Sequence, residues 1–99
     1  MTVLNSTAQR DIENLAHPYT NLATHPETGP LVMTRGKGAM VWDEQGKDYI
    51  EGMAGLWCTA FGYGEEELIE AAAEQMRKLA YTHLFAGKSH EPAIELAER

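Results

Sequence analysis

The sequence predicts an α+β chain: a short N-terminal helix, a small antiparallel meander, and one to two following helices. Three observations predict it. Leu68, Ile69, Ala72, Ala73, Met76, Leu79 and Ala80 recur at helical spacing on one face. Two extended-looking runs flank Asp43-Glu44-Gln45-Gly46, a sequence suited to a hairpin loop. Ser6 and Thr7, residue types that cap helix N-termini, stand before a short amphipathic stretch.

Thr7 to Leu15 forms the first expected helix, with Ile12 and Leu15 on one face and a stop before His17-Pro18, since proline disfavours helix at the preceding residue. Tyr19 to Pro30 is rich in Thr, Pro, Asn and Gly and reads as an irregular ordered segment bounded by turns. Leu31 to Gly38 and Ala39 to Trp42 read as extended, Gly46 suits an αL position in the loop that follows, and Lys47 to Glu51 returns as the partner strand. The edges of such a meander are open to pairing unless covered.

Glu65-Glu66-Glu67 opens the strongest helix, running to about Ala80. Acids in its first turn and Arg77 and Lys78 in its last complement the helix dipole. Tyr81 to Lys88 is a connecting loop carrying Phe85, and a further helix is expected near Ser89, capped by that serine, with Pro92 in its first turn. The expected segments are 1–16, an N-terminal helical arm; 17–64, the meander and a pocket loop; and 65–99, a helix, an interface loop and the start of another helix.

The chain has 99 residues, 43% hydrophobic and 23% charged, which places it among globular rather than disordered sequences. A net charge of −7, with scattered Lys and Arg, argues against a nucleic-acid or anionic-membrane partner. The single cysteine, Cys58, excludes an internal disulfide and points to a reducing compartment, and with no signal-like or membrane-spanning run the cytoplasm is the expected location.

Asp48 to Gly64 carries the strongest functional signal. Gly52, Gly55, Gly62 and Gly64 alternate there with Tyr49, Trp57, Phe61 and Tyr63. Aromatics beside residues that permit positive φ usually shape a surface, and Trp57 lies where neither strand nor helix period holds, so irregular backbone is expected to present it. The competing reading makes Trp57, Phe61 and Tyr63 ordinary core aromatics.

Other constellations are weaker. Gly87-Lys88-Ser89 lacks the first glycine of a phosphate loop, because Thr82 stands there. Gly62-x-Gly64 lacks a third glycine, and Glu65 to Glu67 would repel a pyrophosphate. His17, His25, His83 and His90 are dispersed, with no i, i+3 or i, i+4 pair, so surface or loop histidines are expected and no metal site. Cys58 is expected to be a buried, inert thiol. Lys37, Lys47, Lys78 and Lys88 lack the apolar surroundings that a Schiff-base lysine needs.

Trp42-Asp43-x-x-Gly46-Lys47-x-Tyr49-Ile50-Glu51-Gly52, Ala54-Gly55-Leu56-Trp57-Cys58, Gly62-Tyr63-Gly64, Leu68-Ile69-x-Ala71-Ala72 and Gln75-Met76 together closely resemble the N-terminal part of class III pyridoxal-phosphate-dependent aminotransferases. His17-Pro18-Tyr19-Thr20 and the Gly-Leu-Trp-Cys run are similar to the omega-transaminase branch. Tyr63 stands where many class members carry histidine, which narrows the subfamily.

The resemblance implies an α/β parent of fold-type I, several hundred residues long and homodimeric, that moves an amino group from an amine or amino acid to a keto acid such as pyruvate. It implies that Tyr19, Leu56 and Trp57 line the substrate pocket and that Phe85 and Ala86 reach into the partner subunit's site. It also implies that no catalytic residue and no cofactor ligand lies in these 99 residues: the phosphate-gripping turn, the ring-stacking aromatic, the pyridine-nitrogen aspartate and the Schiff-base lysine fall further along. The chain alone is therefore expected to be inactive. The alternative from the residues is a non-catalytic remnant or a small interaction module, using the meander edge and the 65–80 helix face.

Overall fold

The computed structural model describes residues 6–99; the first five residues of the expected N-terminal arm lie outside the described residues. The chain divides into two compact units, one ending at Tyr63 and one running from Gly64 to Arg99.

The first unit opens with α1 (Thr7–Asn14). Ser6 caps it, its hydroxyl accepting the Gln9 amide at 3.1 Å, which satisfies one of the N–H groups a helix start leaves without a partner. The segment from Tyr19 to Pro30, expected to be irregular throughout, contains one helical turn, α2 (His25–Thr28). Pro26 occupies its first turn, where the missing N–H costs nothing, and Gly29 ends it at φ 69°.

The meander forms as expected. Strands β1 (Met33–Lys37), β2 (Met40–Asp43) and β3 (Asp48–Ile50) lie in the order β1-β2-β3, all antiparallel. Gly36 pairs with Val41 and Val41 with Tyr49, so those positions share a face. A bulge between Met33 and Arg35 sets Thr34 apart, and its hydroxyl donates to the carbonyls of Trp42 and Asp43, each at 3.2 Å. On the other face the Arg35 guanidinium lies 3.8 Å from the centroid of the Trp42 ring.

Asp43, expected in the loop, ends β2 instead and is buried. Its carboxylate accepts the amides of Gln45 and Lys47 at 2.9 and 3.0 Å and the Tyr49 hydroxyl at 2.9 Å, closing the turn at which Gly46 takes φ 84°. Burial pushes the Asp43 carboxyl up, but these three donors outweigh it and hold the group below its ordinary value. The same bond to Asp43 raises the Tyr49 hydroxyl.

Tyr63 closes the unit. It forms a two-bond bridge with Gly38, its amide donating to Gly38 O at 2.8 Å and its carbonyl accepting Gly38 N–H at 2.9 Å. The approach is so close that a Cβ on Gly62 would meet the Gly38 carbonyl oxygen at 2.9 Å.

The second unit consists of α4 (Glu66–Leu79), a 3-10 turn at Phe85–Gly87, and α5 (Glu91–Glu98). α4 matches its expected span to within a residue. The cap of α5 is His90 and not Ser89: the Nδ1 of His90 accepts the Ala93 amide at 3.4 Å. Serine one position earlier cannot reach that amide, because a cap bonds the residue two or three positions on. The apolar face of α4 stands open, with Leu68, Ile69, Met76 and Leu79 all exposed, and Val41 is the single buried apolar side chain among the described residues.

Candidate functional site

Between β3 and Tyr63 the backbone does something that composition only hinted at. Ala54, Gly55, Leu56 and Trp57 all have positive φ, at 50°, 61°, 61° and 70°, and form a four-residue helical turn, α3 (Ala54–Trp57), wound with the left hand. Such winding costs about 1–2 kcal/mol for each non-glycine residue, and Gly55 spares one of the four positions. The turn is held by its own ladder. Trp57 N–H donates to Met53 O at 2.9 Å, while the amides of Cys58 and Thr59 both donate to Ala54 O at 2.8 Å. Glu51 anchors the entry by accepting the Met53 amide at 2.9 Å.

The turn presents its side chains outward. Trp57 is 87% exposed and Leu56 is exposed beside it, so the core-aromatic reading fails for Trp57; Phe61 is exposed as well, whereas Tyr63 is half-buried. Cys58, expected to be buried, is also exposed, because the reversal at α3 turns it outward, and its thiol donates to Leu56 O at 3.3 Å. Behind the turn lies a hollow of about 220 Å³ whose lining includes Ala54, Thr59, Gly62 and Tyr63. The Thr59 hydroxyl is buried there with no hydrogen-bond partner among the described residues.

Of the five non-glycine residues with positive φ among the described residues, four are ones singled out as pocket residues: Tyr19 at 52°, Leu56, Trp57, and Ala86 at 55°. Non-glycine residues enter this region in a few per cent of cases, and strained backbone collects at functional sites. Tyr19 is fully exposed, on the turn that follows His17-Pro18. In the second unit Ala86 and the exposed Phe85 form the 3-10 turn, held where the Phe85 amide donates to His83 Nδ1 at 3.2 Å. Phe85 also borders a groove of about 440 Å³ lined in part by Leu79, Tyr81, His83, His90 and Pro92.

The histidines are the largest correction. His25 is buried, and its Nε2 lies 3.1 Å from Asp11 Oδ1, the same oxygen that His17 Nε2 meets at 2.8 Å. The bond from His17 leads the causes that hold the Asp11 carboxyl below its ordinary value, against the opposing effect of burial. His17 and His25 are therefore not isolated loop residues.

A carbonyl cofactor needs an enclosed lysine and a phosphate cradle. Lys37, Lys47, Lys78 and Lys88 are all exposed, and Lys78 is engaged with Glu91 at 3.5 Å. The first turn of α4 presents Glu66 and Glu67 to any phosphate. Among the described residues, no enclosed lysine and no phosphate cradle is present to fit pyridoxal phosphate.

The family model for aminotransferase class-III matches residues 22–99, and the chain belongs to that family. Among solved structures, the omega transaminase of Pseudomonas jessenii in complex with PMP is 53% identical, with a TM-score of 0.90 over 94% of this chain and 20% of its own. A thermostable omega transaminase variant engineered for asymmetric synthesis of enantiopure bulky amines is 52% identical, with a TM-score of 0.90 over 94% of this chain and 21% of its own; its three substitutions include a tryptophan and a phenylalanine spaced as Trp57 and Phe85 are here. The putrescine–pyruvate aminotransferase of Pseudomonas aeruginosa is 42% identical over 82% of this chain and 18% of its own length. The chain thus spans about a fifth of the length of the relatives it matches.

Proposed function

We propose that this chain is the N-terminal, substrate-facing part of an omega-type transaminase that transfers an amino group from an amine or amino acid to a keto acid such as pyruvate. Pyridoxal phosphate, held by residues outside this chain, supplies the electron sink for that chemistry. Tyr19, Leu56 and Trp57 bound the substrate by shape and apolar contact, and Phe85 and Ala86 complete the pocket of the partner subunit in a homodimer. A reducing, cytoplasmic setting suits the exposed thiol of Cys58.

The observation that carries this reading is the coincidence of positive φ with the pocket positions: Tyr19, Leu56, Trp57 and Ala86 are held in strained backbone with no buried contact to explain it. A fold that only needed an apolar core would not display Trp57 from a left-handed turn. The tryptophan and phenylalanine named in the bulky-amine variant, spaced as Trp57 and Phe85 are, support this reading.

The test is an assay of the longest polypeptide its coding region encodes, supplied with pyridoxal phosphate, pyruvate and two amines that differ in bulk. The wild-type polypeptide is expected to convert the smaller amine, and Trp57→Gly to shift the kcat/KM ratio toward the bulkier one by about tenfold or more. Absence of transamination by the folded wild-type polypeptide would overturn the reading.

A second reading, a non-catalytic remnant or interaction module, draws on the open apolar face of α4. Circular dichroism and gel filtration of the 99-residue chain separate the two forms of it, since only a self-sufficient module gives a sharply melting monomer.

A further inference from the structure

The transaminase reading leaves three side chains of the first unit unused, and they converge. Asp11 comes from the middle of α1, His17 from the segment after it, and His25 from the first position of α2. His17 Nε2 lies 2.8 and 2.9 Å from the two oxygens of Asp11, and His25 Nε2 lies 3.1 Å from Oδ1. The imidazole centroids are 4.7 Å apart and the rings are tilted by 56°. One donor atom from each of the three residues falls within 4.8 Å of the others. The side chains of His25 and Asp11 are 9% and 15% exposed, and His17 is the most open at 26%.

An ionised carboxylate only accepts, so both rings present an N–H to it. A simple clasp between α1 and α2 needs one histidine. Here two imidazoles aim the same nitrogen, Nε2, at one carboxylate, His17 reaching both of its oxygens and His25 sharing Oδ1, with His25 buried in doing so. Neither ring has a further role in the transaminase reading. The arrangement gathers three side chains of ligand type at one point.

The dimensions suit a small divalent ion. Zn–N distances of about 2.0–2.1 Å and Zn–O distances of about 2.0–2.2 Å in tetrahedral sites place neighbouring donors roughly 3.3–3.5 Å apart. Two edges of the triangle measure 2.8 and 3.1 Å and need to widen only slightly; the third, bounded at 4.8 Å, is adjustable by movement of His17, the most exposed member. Two imidazoles and one carboxylate, with no thiolate, form a donor set of the kind that holds zinc with a fourth position left to water.

We propose that Asp11, His17 and His25 form a three-ligand site for a divalent transition-metal ion of the zinc type, bound through Asp11 Oδ1 and the two Nε2 atoms with water in the fourth position. On binding, each imidazole carries its proton on Nδ1 in place of Nε2, so two N–H···O bonds are exchanged for three bonds to the ion. The ion ties α1 to α2 and stabilises the N-terminal arm by mass action. The site stands independently of the transaminase reading, since none of its residues belongs to the pocket wall.

Zn²⁺ and Co²⁺ are the probes. In a Cys58→Ser background that removes the exposed thiol, the longest polypeptide of the coding region is titrated with Zn²⁺ by calorimetry, and with Co²⁺ by visible absorption. The expected result is one ion per chain, a zinc-dependent rise in Tm, and cobalt bands free of thiolate charge transfer. His17→Gln is the lead variant because that side chain is the least buried, with Asp11→Asn second; each is expected to weaken binding by at least about tenfold and to abolish the cobalt bands. Circular dichroism verifies that both variants keep the fold. Failure of the wild-type protein to take up zinc, or uptake unchanged in either folded variant, overturns the proposal.

Discussion

Tyr63 occupies the space that a side chain on Gly36 would need: a Cβ at residue 36 would lie 2.6 Å from the Tyr63 Cγ. The ring therefore rests directly on the β1 backbone, on the face that Val41 and Tyr49 share. Its hydroxyl extends to α3, where a Cβ on Gly55 would come within 3.0 Å of it. One side chain thus spans from the sheet to the strained turn.

Gly36→Ala is expected to destabilise the meander by about 1–3 kcal/mol, the usual cost of forcing volume into a filled site. Gly52→Ala, where an added Cβ meets nothing within 4 Å, is the control and should stay within about 0.5 kcal/mol of wild type. Chemical denaturation of both variants gives the comparison. Combining Gly36→Ala with Tyr63→Ala should cost less than the sum of the two, because the tightest approach, to the Tyr63 Cγ, is then removed and only the Cβ contact at 3.0 Å remains.

Size and stability are expected to part company at Trp57. Trp57→Gly removes the largest side chain of the turn, yet it relieves a positive φ and empties no core, so stability should change by less than about 1 kcal/mol. Val41→Ala deletes far less and should cost about 1.5–2.5 kcal/mol, since Val41 is the buried apolar residue of the unit. Thermal melts of the two variants check this inversion.

The pH dependence at Asp43 runs in one direction. Its folded value is depressed by the donors at Tyr49, Lys47 and Gln45, so its contribution is complete above the ordinary aspartate range and is lost as pH falls below about 4 and through the lower folded value. Tyr49, raised by the same bond, favours its neutral form, and that contribution persists below about pH 10 and is lost as pH rises through the higher folded value. Asp43→Asn should flatten the acid limb of a stability–pH curve; an unchanged acid limb would show that other carboxylates carry it.

Pyridoxal phosphate added to the 99-residue chain is expected to give no saturable visible absorbance band. Each of the four lysines is exposed, with no enclosure to favour one over bulk amine. Titration followed by substitution of Lys37, Lys47, Lys78 and Lys88 one at a time checks this; a stoichiometric band lost with a single lysine would contradict it.

Much of the architecture was legible because it is governed by near neighbours. The hairpin around Gly46, the span of α4 and the cap at Ser6 each follow from residues within a few positions of one another. The irregular display of Trp57 was legible too, from the failure of any period around it. What escaped was the hand of the turn, since Ala54, Leu56 and Trp57 carry no intrinsic preference for positive φ and only Gly55 signals it. The Asp11, His17 and His25 cluster escaped for a different reason. Its members lie 6 and 14 positions from Asp11, and only the reversal through α2 brings them together, which no helical or strand spacing encodes. Cys58 was misread because burial was inferred from residue type, while the reversal at α3 decided the outcome.

The meander has a kinetic consequence. Its strand pairings join neighbours along the chain, β1 with β2 and β2 with β3, while the Gly38–Tyr63 bridge closes a longer loop over them. Forming such hairpins takes on the order of microseconds, and local contacts of this kind are the first a chain can make. The platform beneath α3 can therefore assemble before any distant segment arrives, so that the costly left-handed turn is laid onto a surface already in place.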